Sequence, residues 1–120
     1  MDTSAVAAWV DQYVRAWNSN DAADIGRLFA EDAVYYTGPF DLPWRGRDAI
    51  TRNWLDRQDA PGSTTFNYEV LAATSDSGVV RGSTRYHNPP REFSNLWLIR
   101  FDADGRCREF TEWWMQRPLA

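Results

Sequence analysis

Glu112 is the residue of this chain best placed to move a proton. It stands in Phe110-Thr-Glu-Trp-Trp114, where Phe110, Glu112 and Trp114 alternate with Thr111, Trp113 and Met115. Successive strand side chains point to opposite faces, so the alternation turns Glu112 inward with two aromatic rings. A carboxylate in apolar surroundings is desolvated. Its pKa rises, and it becomes a usable general acid or base. The alternative is an ion pair with an arginine that only holds the sheet. Asn95 and Trp97 share a face with Phe93, Ile99 and Phe101 on the preceding stretch. A buried asparagine needs several partners, so Asn95 either orients a ligand or joins Glu112 in an internal network. Tyr13 is a phenol on an apolar helical stripe, and when buried its hydroxyl must bond a substrate oxygen or a neighbour.

His87 is the only imidazole. Its ordinary pKa of about 6.5 suits proton transfer. It also adjoins Asn88-Pro89-Pro90, where a strand ends near the surface, which suits a solvated or structurally bonded ring. Arg85, two residues earlier, shares its face and could bind an anionic or carbonyl oxygen. Trp17, Trp54, Trp97 and Trp114 are read as pocket walls, with core filling as the alternative. One histidine without a clustered carboxylate set is a poor ligand inventory, so no metal is expected, and no cofactor.

These groups need a scaffold. Glu92–Met115 reads as two long strands joined at Asp102-Ala-Asp-Gly105, where Gly105 supplies a positive φ. Ser4–Asn18 reads as a helix, because Val6, Val10, Tyr13 and Trp17 form one stripe, widened by Trp9 and Val14. Asn20 or Asp21 can cap a shorter helix with Ile25, Leu28 and Phe29 on its buried edge. Ala33–Thr37 is expected as a strand, and the segment from Gly38 to Gly46 as a loop. A third helix is expected from about Arg47 to Gln58. Strands are expected over Thr64–Ala73 and Val79–His87, with a short tail over Gln116–Ala120. Helices first and a run of strands after them mean α+β, with helices on one face of a curved antiparallel sheet. Both faces of the last two strands are apolar. The outer one, carrying Leu96, Leu98, Trp113 and Met115, suits a second copy of the chain and so a homodimer.

Composition narrows the function further. The 120 residues suit one domain, 1–120, with a real core. Net charge −4 and a pI near 4.9 argue against a nucleic-acid surface. All 13 basic residues are arginine. The single Cys107 excludes an intrachain disulfide and reads as an apolar filler. No apolar run approaches the roughly 20 residues of a membrane span, and the N-terminus lacks the pattern of a signal peptide, so the expected location is cytoplasmic.

Tyr13-Val-Arg-Ala-Trp-Asn-Ser-Asn-Asp21, Leu28-Phe-Ala-Glu-Asp-Ala-Val34, Arg45-Gly-Arg-Asp-Ala-Ile50 and Arg100-Phe-Asp-Ala-Asp-Gly-Arg106, followed by Phe110-Thr-Glu-Trp-Trp114, carry a resemblance across nearly the whole chain. The chain resembles the nuclear-transport-factor-2-like (NTF2-like) superfamily, in its SnoaL-like polyketide cyclase and ketosteroid isomerase branch. The resemblance implies a conical barrel with a curved sheet wrapped around the N-terminal helices. In ketosteroid isomerases a helix tyrosine and a neutral aspartic acid hold an oxyanion, and another aspartate carries the proton. By motif, Tyr13 matches the tyrosine. The proton-shuttle position falls on Thr37, a candidate substrate contact, and the second aspartate on Trp97. Neither residue can do the acid's work, so isomerase chemistry through those positions is not expected. In limonene-type epoxide hydrolases the last catalytic aspartate matches Glu112, and Arg85-Tyr86-His87 loosely matches their Arg-x-Asp pair. A scytalone-dehydratase-like pair of histidines is impossible here.

The sequence thus suggests a binder of a small hydrophobic, oxygenated molecule in an aromatic cavity. If catalytic, it would run cofactor-free isomerisation, dehydration, cyclisation or epoxide opening. The alternative is a non-catalytic homodimeric module that binds a ligand or partner. A protein-transport adaptor has no supporting motif.

Overall fold

A computed structural model describes residues 1–118; the end of the expected tail, residues 119–120, lies outside them. The first helix, α1 (Thr3–Ser19), starts on Asp2, whose side chain accepts from the Ala5 N–H at 2.8 Å. It ends at Asn20, in the left-handed region at φ 52°. Val6, Trp9, Val10, Tyr13 and Ala16 are buried on one face. Burying a large apolar side chain is worth about 1.5–3 kcal/mol, so packing rather than helix propensity holds α1 in place. Asp21 caps α2 (Ala22–Gly26), accepting from Ala23 and Asp24.

Strand β1 (Phe29–Tyr36) begins four residues earlier than the sequence suggests. Phe29 is buried, as expected, but as a strand residue paired with Cys107 rather than as part of a helix. A register shift between Phe29 and Val34 breaks the alternation that would have revealed it. Trp44–Arg45 forms a short β2 inside the expected loop, and α3 (Arg47–Asp56) follows. Then come β3 (Thr64–Ala73), β4 (Ser77–His87), β5 (Pro90–Phe101) and β6 (Cys107–Gln116). At the β5–β6 turn Gly105 has φ 80°, and the Asp102 side chain accepts from the N–H groups of Asp104 and Arg106.

The six strands form one sheet in the order β2-β1-β6-β5-β4-β3. It is curved and mixed rather than wholly antiparallel: β1 runs parallel to β6, and the two end strands do not meet. The helices lie against the concave face. Trp9 sits at the centre of the core, against Tyr13, Phe29, Phe101 and Phe110, and donates to the Leu28 carbonyl at 3.0 Å. No helix among the described residues is long and apolar enough to cross a membrane.

Candidate functional site

The β5–β6 register builds the floor of the site. Asn95 pairs with Trp114, Trp97 with Glu112 and Ile99 with Phe110. Directly opposed side chains on one face touch. Accordingly Trp97 Nε1 donates to Glu112 Oε2 at 2.8 Å, and Asn95 Nδ2 donates to the same oxygen at 3.0 Å. Asn95 Oδ1 in turn accepts from Thr84 Oγ1 at 2.8 Å, so a hydroxyl on β4 fixes the amide. Glu112 Oε1 has no protein partner among the described residues. Burial raises the Glu112 pKa above its ordinary 4.5, against the two hydrogen bonds, which lower it. No arginine lies within ion-pair distance of it among the described residues.

Above this floor lies a cavity of about 380 Å3, lined by Tyr13 and Trp17 of α1, Tyr35 of β1, Trp54 of α3, and Trp97, Glu112 and Trp114 of the hairpin. Tyr13 and Tyr35 hydroxyls lie 2.7 Å apart. Burial pushes both phenols up, Glu112 adds to both shifts, and they stay protonated across the physiological range. One hydroxyl spends its proton on this pair, which leaves the other proton free for a ligand oxygen. Tyr13 packs against Trp54 and Trp97 at ring distances of 4.7 and 4.6 Å. Towards the mouth, Asp59 Oδ2 accepts from Trp17 Nε1 at 2.9 Å and from the Tyr86 hydroxyl at 3.1 Å. Thr37 also lines the cavity, and its hydroxyl donates to Asp41 at 2.7 Å.

Tyr13, Trp17, Thr37, Trp54, Asn95, Trp97, Glu112 and Trp114 therefore meet around one space. Trp114 is more than half exposed and stands at its edge. Arg85 and His87 do not join them. On β4 the inward residues are Val80, Gly82, Thr84 and Tyr86, so Arg85 and His87 face out. Arg85 pairs with Glu92 at 3.3 Å, and His87 Nε2 lies 2.9 Å from Thr65 Oγ1. Buried Val80 marks the inward face, and that signal points to Thr84 and Tyr86 instead. Tyr35 shares the inward face of β1 with Ala33, which is also readable from alternation. Asp59 follows α3 and Trp44 lies in a two-residue strand, so no periodicity marks either.

The SnoaL-like domain profile matches residues 10–110. No curated protein matches the chain. Among solved structures it is similar to a ketosteroid isomerase-like protein from Erwinia carotovora atroseptica SCRI1043. That likeness has TM-score 0.71 and 19% identity, covering 97% of each chain. It is also similar to a protein from Sphaerobacter thermophilus, with TM-score 0.69 and 21% identity, covering 91% of this chain and 94% of that one. A third is a protein of unknown function with a cystatin-like fold from Methylobium petroleophilum PM1. Here the TM-score is 0.73 and the identity 19%, covering 100% of this chain and 81% of that one. At these identities the structures share a fold, and it is the one built above. The profile spans most of the sequence, and the chain belongs to the SnoaL-like domain family.

Proposed function

We propose that the cavity binds a small hydrophobic, oxygenated molecule and that Glu112 exchanges a proton with it without a cofactor. The observation that carries this reading is the Glu112 carboxyl: part-buried beneath the cavity, held by Trp97 and Asn95 through one oxygen, and open at the other. A carboxylic acid kept neutral by its site can donate to a developing oxyanion. Tyr13, backed by Tyr35, supplies a second donor from the opposite wall. The reactions that fit are isomerisation, dehydration, cyclisation and epoxide opening. Trp17, Trp54, Trp97 and Trp114 shape the apolar walls, and Asn95 positions the acid. Arg85 and His87 have no part in it, because both face away from the cavity.

The test is a turnover screen with cyclic ketones, hydroxy-ketones and epoxides, repeated on Glu112→Gln. The amide keeps an acceptor for Trp97 and Asn95 but cannot supply the proton. Turnover should fall about 10²–10⁴-fold, the usual contribution of a positioned acid or base. Equal turnover in the variant removes Glu112 from the mechanism.

A second reading is a homodimeric module without catalysis, paired through the outer sheet face. Leu71, Leu98, Trp113 and Met115 are all exposed there. Dimerisation through that face is compatible with either reading.

A further inference from the structure

Among the described residues the cavity wall carries a single cation, Arg57, directly after α3. Its guanidinium lies over the Trp44 ring, 5.2 Å from the centroid. The only hydrogen bonds of the guanidinium among the described residues run from Nη1 to the carbonyl and Oδ1 of Asn53, one turn back, at 3.4 and 3.3 Å. No carboxylate among the described residues lies within ion-pair distance of it. Arg27, Arg81, Arg85, Arg100, Arg108 and Arg117 each have one, whereas Arg15, Arg45, Arg47, Arg52, Arg91 and Arg106 have none among the described residues either; what sets Arg57 apart is its place on the cavity wall. The edge bearing Nε–H and Nη2–H, the fork that grips a carboxylate with two parallel bonds, is therefore unoccupied by protein.

The ring under Arg57 leads inward. Trp44 stacks on Tyr35 at 4.8 Å, and Tyr35 stacks on Phe110 at 4.6 Å, two residues from Glu112. The stack thus runs from an exposed cation to the buried floor. The other charged group of the rim, Asp59, has Oδ2 occupied by Trp17 and Tyr86. Burial raises the Glu112 pKa and so disfavours a charge on the floor that would oppose an anionic ligand.

We propose that the molecule taken by this cavity is an amphipathic ring compound bearing a carboxylate, which Arg57 holds at the mouth while the oxygenated end reaches Tyr13 and Glu112. The inference rests on the cavity reading and adds the substrate class. Arg57 is a specificity and positioning residue: by fixing one end of the molecule it decides which oxygen meets the acid.

Calorimetric titration of the full chain with two matched probes tests this at physiological ionic strength and neutral pH. One probe is 2-naphthol, which is neutral, and the other is 6-hydroxy-2-naphthoate, which adds the carboxylate. The naphthoate should bind about tenfold more tightly, the worth of one exposed charge-assisted pair. In Arg57→Gln the ratio of the two affinities should fall to that of the uncharged contacts alone, so that the advantage vanishes. Arg57 is exposed, so the variant should fold; an unchanged melting temperature checks this. Binding of 2-naphthol with no gain for the naphthoate, or a gain that survives Arg57→Gln, overturns the anion subsite and leaves the cavity reading standing. Binding of neither probe overturns both.

Discussion

Glu112 concentrates the account at the scale of one residue. Desolvation outweighs two hydrogen bonds, so the folded chain holds the Glu112 proton at pH values where the unfolded chain has released it. The native state then binds more protons than the unfolded state, and stability falls as pH rises. The loss begins near the ordinary value of 4.5 and continues until pH passes the raised native value. Glu112→Gln does not titrate. The stability of the variant relative to the native chain should therefore increase with pH across that window, as read from denaturant midpoints at several pH values. A flat difference would mean that the carboxyl titrates alike in both states. This inward acid was legible because two-residue alternation survives in Phe110, Glu112 and Trp114. Its indole donor was not legible, because only the strand register places Trp97 opposite Glu112. Arg85 and His87 attracted attention through their chemistry, and the alternation of β4 argues otherwise.

Among the elements, the antiparallel strands from β3 to β6 were readable almost to the residue, because turn chemistry and alternation agree there. Strand β1 was half hidden, since its bulge interrupts the period. Its parallel pairing with β6 is a long-range contact that no local pattern records. A second hidden feature is the close approach at Gly82 on β4. A methyl group there would enter the Phe66 ring, which lies flat on Trp97 at 4.8 Å. Rings are stiff, and overpacking of this kind costs about 1–3 kcal/mol. Gly82→Ala should lower stability by that amount in chemical denaturation and loosen the cavity wall through Trp97. A neutral substitution would show that Phe66 gives way freely.

At the scale of the molecule, the fold class followed from the order of elements, while the family resemblance supplied the expectation of a conical barrel; the sheet is curved but unclosed. The packing of α1 and α3 over the sheet leaves Tyr13, Trp54 and Trp97 around a space instead of closing on it. The outer face remains to be covered. Homodimerisation there predicts a sedimentation mass twice the 13.9 kDa of the chain, reverting to the single mass in Trp113→Glu. A monomer at all micromolar concentrations would contradict it.

The protonation state of Glu112 beside an occupied cavity tests the whole account most directly. Carbon-13 NMR of the Glu112 side-chain carboxyl, titrated with and without 2-naphthol, reads it at the atom concerned. The account predicts a midpoint above 4.5 that moves when the probe binds. A midpoint at or below that value, indifferent to the probe, would contradict it.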